Sequence, residues 1–229
     1  MATPAVPLSR PILPVVYPES DDEPMAENTE QFDLIVMLKG NLDALLERDF
    51  VAGDLFWYPV EGDNRTRLAP DVMVALGRPK GHRGSYLQWL EANHPPDVVF
   101  EIWTPGNTFR HQLEKLRFYA RHGVREFITW DHERCDLLVF VRQGNDLAPV
   151  STEDGWTSPL LGVRFAREGR DLAAYGPSGR RFEGIPDVFE ARERAEAERD
   201  AAAAERDAAT AERDALRAKL IAAGIDPDA

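Results

Sequence analysis

Two carboxylates interrupt apolar stretches of this chain: Asp71 in LAPDVMVAL and Glu101 in VVFEIW. An ionised carboxylate among buried apolar side chains is costly unless a cation or a hydrogen-bond donor meets it. An acid behind a proline at a strand start, with a second acid in a neighbouring strand, suits a hard divalent cation. Such ions prefer carboxylate oxygens and keep waters that can face a phosphate. For one acid alone, the simpler account is an ion pair with an arginine or a capped strand end. Lys115 follows Glu101 in the next helical stretch. An ammonium beside the metal would orient or deprotonate a bound water and stabilise phosphoryl transition-state charge. By spacing, His111 and His122 share the face of Lys115, whereas Phe109, Leu113, Leu116 and Ala120 form the apolar stripe. Asp54 in VAGDLFWYP is a further acid in a strand, and its ordinary role is a turn or bulge acid beside Gly53.

These side chains need elements to position them. Apolar residues Phe32, Ile35, Val36, Leu38, Leu42 and Leu45 recur at helical spacing and predict a helix over about 28–48, capped by Asn28 or Thr29. VAGDLFWYPV and RLAPDVMVAL are expected strands, and DVVFEIW, rich in β-branched and aromatic residues, is a buried one. A helix is expected over about 108–122, then strands at VREFITWD and CDLLVFVRQG. Shorter strands follow at LAPV, LGVRFA and RDLAAYG. The order of helix, strands, helical crossover and more strands predicts an α/β fold with a mixed sheet. The insertion GRPKGHRGSYLQWLEANHPP places Arg78, Lys80 and Arg83 close to Tyr86 and Trp89. It suits a loop for phosphates and bases as well as it suits an ordinary surface loop.

The division expected along the chain is a flexible arm over 1–28, a core domain over 29–186 and a helical tail over 187–229. In the tail AERDAAA, AERDAAT and AERDALR repeat every seven residues, and Ala197, Ala201, Ala204, Ala208, Ala211 and Ala215 alternate four and three apart. That is a coiled-coil seam built from alanine, and it fits a dimerising helix or a long solvated one equally well. The net charge of −13 argues superficially against nucleic acid, but residues 65–142 carry 12 basic against 9 acidic side chains. No apolar run reaches the roughly 18 residues of a membrane helix. The single Cys135 excludes an internal disulfide framework and fits a reducing, cytoplasmic setting. The five histidines show no HExxH spacing, and phosphate-binding glycine loops are absent, which argues against zinc and nucleotide sites.

APDVMVALG, VVFEIWTP and EKLRFYARHGVREFITWD together resemble the Uma-type family of restriction endonucleases, within the PD-(D/E)xK nuclease superfamily. The resemblance covers roughly residues 30–180, and the alanine- and glutamate-rich tail is also similar to that of family members. Pro70-Asp71 matches the family's PD, Glu101 its second acid, and Lys115 a helical lysine standing in for the motif lysine, because Trp103 occupies the position two after Glu101. His111 stands where the family usually carries an acid. The resemblance implies a restriction-endonuclease-like core with a C-terminal coiled-coil-like helix, and Mg²⁺- or Mn²⁺-dependent hydrolysis of DNA phosphodiesters. Asp71, Glu101 and the backbone carbonyl of Ile102 would hold the metal, and Lys115 would position the water. The expected partners are DNA and a second copy of the chain, with no membrane. The rival expectations are a nuclease-fold protein without catalysis, acting through its tail as a binding or assembly module, and a hydrolase of another phosphorylated substrate.

Overall fold

The computed structural model describes residues 15–20, 26 and 28–223, without the side chain of Leu220, so most of the arm expected over 1–28 lies outside the described residues. The chain divides into two units, Met1–Phe182 and Glu183–Ala229. The first opens with α1 (Thr29–Leu45), whose amide of Gln31 donates to the Asn28 side chain at 2.8 Å, an N-cap that satisfies one of the helix's orphan donors. There follow β1 (Phe50–Gly53), β2 (Trp57–Tyr58), β3 (Val72–Ala75), β4 (Tyr86–Leu87), β5 (Val98–Trp103) and α2 (Phe109–His122). Then come β6 (Glu126–Asp131), β7 (Asp136–Gln143), β8 (Asp146–Val150), β9 (Trp156–Thr157), β10 (Arg164–Glu168) and β11 (Asp171–Tyr175).

Six strands form one mixed sheet in the order β1-β3-β5-β6-β7-β8. Only β5 and β6 run parallel, because α2 carries the chain back between them; every other pairing in that sheet is antiparallel. Side chains alternate across each strand, so the sheet builds two cores. On one face Phe100 and Ile102 of β5 pack with Ile35, Leu38 and Leu42 of α1 and with Phe165 and Leu172 of the small β11-β10-β9 sheet. On the other face Val99 and Trp103 pack with Trp57, Tyr86, Tyr119 and Phe127. Each buried side chain of this size contributes roughly 1.5–3 kcal/mol.

The structure corrects several local expectations. The strand expected over 51–60 breaks at Asp54, which turns with φ 46°, and resumes as β2. On α1, Phe32 is 44% exposed and Gln31 takes its place in the buried row with Ile35, Leu38 and Leu42. On α2, Phe109 is 79% exposed and Tyr119 is the buried residue. Cys135 is a core residue, as its size suggests. Residues 15–20 lie against the body: Tyr17 packs edge-on to Tyr58, and the Tyr58 hydroxyl donates to the Pro18 carbonyl at 2.7 Å.

The second unit is α3 (Ile185–Ala222), a 38-residue helix whose described side chains are exposed throughout. None of the helices among the described residues is long and apolar enough to cross a membrane.

Candidate active site

Asp71 sits one residue ahead of β3, where Pro70 ends the preceding loop, and Glu101 sits in the middle of β5. The antiparallel register sets Val72 opposite Phe100, which brings Asp71 alongside the Glu101–Ile102 segment. The amide of Ile102 donates to Asp71 Oδ2 at 2.6 Å. Glu101 is 1% exposed and belongs to the sheet face covered by α2. From that helix Lys115 Nζ donates to Glu101 Oε2 at 2.6 Å, and the hydroxyl of Tyr119 donates to Glu101 Oε1 in a short hydrogen bond. Lys115 and Tyr119 are four residues apart, so one helix face delivers both donors.

The structure thus brings together Asp71, Glu101 and Lys115. Trp103 lies beside this group. A period of two along β5 puts Trp103 on the same face as Glu101, and the Lys115 ammonium lies 5.5 Å from the centre of its ring.

Electrostatics follow from the geometry. Burial, reinforced by the charge of Glu101, pushes the Asp71 carboxyl up to about 7, against the pull of Lys115 and the Ile102 amide. Burial alone would lower the Lys115 ammonium, but the charges of Glu101 and Asp71 outweigh it and raise the group above its ordinary value. Burial and then Glu101 drive the Tyr119 phenol well above its ordinary value, so it stays protonated and acts as a donor. Asp54 is exposed and adds negative potential at both Asp71 and Lys115.

No group of three or more His, Cys, Asp or Glu side chains among the described residues is arranged to hold a metal ion. The side-chain oxygens of this site come from the two carboxylates, and the Ile102 backbone adjoins Asp71 through its amide. This set suits Mg²⁺, which commonly takes one or two protein carboxylates and fills its octahedron with water and substrate phosphate. Burial first and the Glu101 charge second disfavour the ionised Asp71, and a cation bound between the two carboxylates would favour it. The Ile102 carbonyl accepts a hydrogen bond from Gln31 Nε2 at 3.1 Å, which uses one of its two lone pairs.

Other expected residues lie elsewhere. His111 is exposed, and the structure does not bring it to the carboxylates. His122 packs on Phe118 at 4.6 Å in the wall formed with Trp57, and burial followed by Arg121 lowers its pKa. The cations of the insertion are engaged within the protein. Lys80 pairs with Asp43, Arg83 grips Glu91 and covers the Phe50 ring, and Arg78 donates to the Glu91 carbonyl. Tyr86 is fully buried and Trp89 packs on Tyr17. That loop is tied to the body by these charges and aromatics.

Two site residues escaped the reading of the sequence. Tyr119 carried a signal, its i+4 spacing from Lys115 in KLRFY; Gln31 carried one too, a polar residue in line with Ile35, Leu38 and Leu42.

The family described as "Uma2: Putative restriction endonuclease" matches residues 23–174. Among solved structures, one described as "a putative nuclease belonging to DUF820 from Anabaena variabilis ATCC 29413" is similar with a TM-score of 0.46 and 13% sequence identity. The similarity covers 59% of this chain and 75% of that one. None of the curated proteins compared with this chain matches it.

Proposed function

The chain belongs to the Uma2 family, and on that premise we propose that it is a divalent-metal-dependent endonuclease that hydrolyses DNA phosphodiester bonds. The observation that carries this reading is the meeting of Asp71 and Glu101, from two adjacent strands, with Lys115 from the covering helix. Asp71, Glu101 and the Ile102 carbonyl would hold Mg²⁺ or Mn²⁺. When bound, that ion supplies a Lewis acid for a phosphate oxygen and an acidified water. Lys115 keeps its proton at Nζ and orients the attacking water while countering charge on the phosphate. Gln31 steadies the Ile102 carbonyl from behind. Purified protein should nick or cut DNA with Mg²⁺ or Mn²⁺, and Asp71→Ala or Glu101→Ala should abolish the cutting. Cleavage that survives both substitutions overturns the reading.

One observation favours a second reading, a binding or assembly module on the same fold. Both oxygens of Glu101 are already met inside the protein, by Tyr119 and Lys115, so the carboxylate is satisfied without a metal. Calorimetric titration separates the two: an absence of Mn²⁺ binding near millimolar concentration supports the module.

We also propose that α3 dimerises through its alanine seam, in a reducing, cytoplasmic setting that fits the lone Cys135. Beside the seam run Glu198, Glu205 and Glu212 on one flank and Asp200, Asp207 and Asp214 on the other. In a two-helix pair, parallel or antiparallel, these rows meet acid against acid. The dimer is therefore expected to be weak and to tighten as salt rises, the reverse of an ordinary ion-paired coiled coil. Sedimentation at low and high salt checks this, and deletion of residues 190–229 should leave a monomer. An unchanged mass after that deletion rejects the proposal.

A further inference from the structure

Glu101 is held by two donors of different character. Tyr119 is fully buried, and its ring stacks on Trp57 with centres 6.3 Å apart and planes 4° from parallel. Phe118 and Phe127 meet the same ring at 5.8 and 5.0 Å. A phenol packed on three sides cannot swing away, so its hydroxyl is a fixed donor to Glu101 Oε1. Lys115 reaches Oε2 at the end of a four-carbon stem, with 13% of its side chain exposed. Its ammonium can leave that oxygen by rotation about its own side-chain bonds. A carboxylate offers about four lone-pair directions, so neither donor exhausts the group.

We propose that Tyr119 is the positioning residue of this site: it commits Glu101 Oε1 permanently and so presents Oε2, held in exchange by Lys115, to the divalent cation shared with Asp71. The inference rests on the metal-dependent reading above. It assigns Lys115 two successive partners, Glu101 Oε2 before the cation enters and the water or phosphate after it. It also explains why one helix face carries both residues. Tyr119 sets the orientation of the ligand, and Lys115 occupies the cation's oxygen until the cation arrives.

The test is titration of the full-length protein with Mn²⁺ by calorimetry, comparing the wild type with Tyr119→Phe. The substitution keeps the ring and its packing and removes one oxygen atom. Loss of an outer hydrogen bond to a metal ligand typically weakens affinity about 10- to 100-fold, and a loss in that range is expected here. A purely structural tyrosine would lower the unfolding temperature and leave the Mn²⁺ affinity within about twofold of wild type, and that result overturns the inference. If the wild type binds Mn²⁺ and the variant binds it equally, only the role of Tyr119 fails. If the wild type binds none, the metal-dependent reading fails and this inference falls with it.

Should Tyr119→Phe not fold, the wild-type protein supplies a second measurement. The hydroxyl proton of Tyr119 should give a downfield, slowly exchanging proton resonance, absent from spectra of Glu101→Ala. Saturating Mg²⁺ should leave that resonance hydrogen-bonded while it shifts the signals of the Lys115 side chain. Loss of the hydroxyl signal on adding Mg²⁺ overturns the inference, because it would show the cation displacing Tyr119 from Glu101.

Discussion

Replacing Asp71 by asparagine is expected to abolish cleavage and, at the same time, to raise the unfolding temperature of the metal-free protein above neutral pH. The carboxyl of Asp71 titrates at about 7 in the folded protein, against an ordinary value of 3.8, because it is buried beside Glu101. A carboxyl raised on folding keeps its proton to higher pH in the native state than in the unfolded chain. Between about pH 4 and 7 the native state therefore binds more protons, and stability falls as pH rises through that window. Above it the loss is complete, and a span of this size corresponds to roughly 4 kcal/mol at most.

Asparagine removes the charge while its amide oxygen can still accept from the Ile102 amide. In the presence of a chelator, the wild-type unfolding temperature should decline more steeply from pH 4 to 7 than that of Asp71→Asn, in which the buried, raised carboxyl of Glu126 still contributes a decline of the same sign. Parallel curves would show that Asp71 is not the titrating group. Saturating Mg²⁺ should stabilise the wild type by mass action and leave the variant unmoved. Cleavage by Asp71→Asn should drop on the order of a thousandfold or more.

Lys115→Met is expected to have the opposite effect on stability. It removes the cation from a pair in which Glu101 is 1% and Lys115 13% exposed, leaving a buried carboxylate with Tyr119 as its remaining side-chain donor. Breaking such a pair from one side costs about 3–5 kcal/mol. Urea unfolding near pH 8 should read that loss as a lower midpoint with an unchanged slope. Adding Glu101→Gln should recover most of it, since the double variant buries no unpaired charge and the amide oxygen still accepts from Tyr119. Cleavage should be absent from both variants. If Lys115→Met were as stable as the wild type, Lys115 would not be the partner that holds Glu101 in the core. If the double variant were no more stable than the single one, the cost would come from lost packing and not from an unpaired charge.

The elements themselves were legible because they depend on local periodicity. Ile35, Leu38 and Leu42 mark α1, and the β-branched and aromatic run marks β5. Asp71, Glu101 and Lys115 stood out together as acids in apolar strands followed by a helical lysine, and the family resemblance implied the same three residues. Exposure on a helix was less legible. Phe32 and Phe109 fit an apolar stripe by spacing, yet Gln31 is buried beside the exposed Phe32, and on α2 the buried residue is Tyr119. A polar group can be buried once a partner exists for it, and spacing along one helix carries no information about partners on another element.

The same limit separates the carboxylates. Glu126 in β6 and Asp97 beside β5 are as buried as Glu101. Glu126 accepts from the hydroxyl of Ser158 at 2.5 Å and from the Leu160 amide at 3.3 Å, which pins the loop before β10. Asp97 meets Arg125, His94 and the Leu76 amide. Both are structural, although as letters in an apolar strand they look much like Glu101. By itself the sequence determined which segments become helices and strands, how the alanine heptads run, and that the acids in apolar strands required partners. Only the tertiary structure decided which partners they have. The antiparallel register of β3 on β5 brings Asp71 to Ile102, and the α2 crossover brings Lys115 and Tyr119 to Glu101. Those contacts join residues up to 31 positions apart, and no local preference of the chain specifies them.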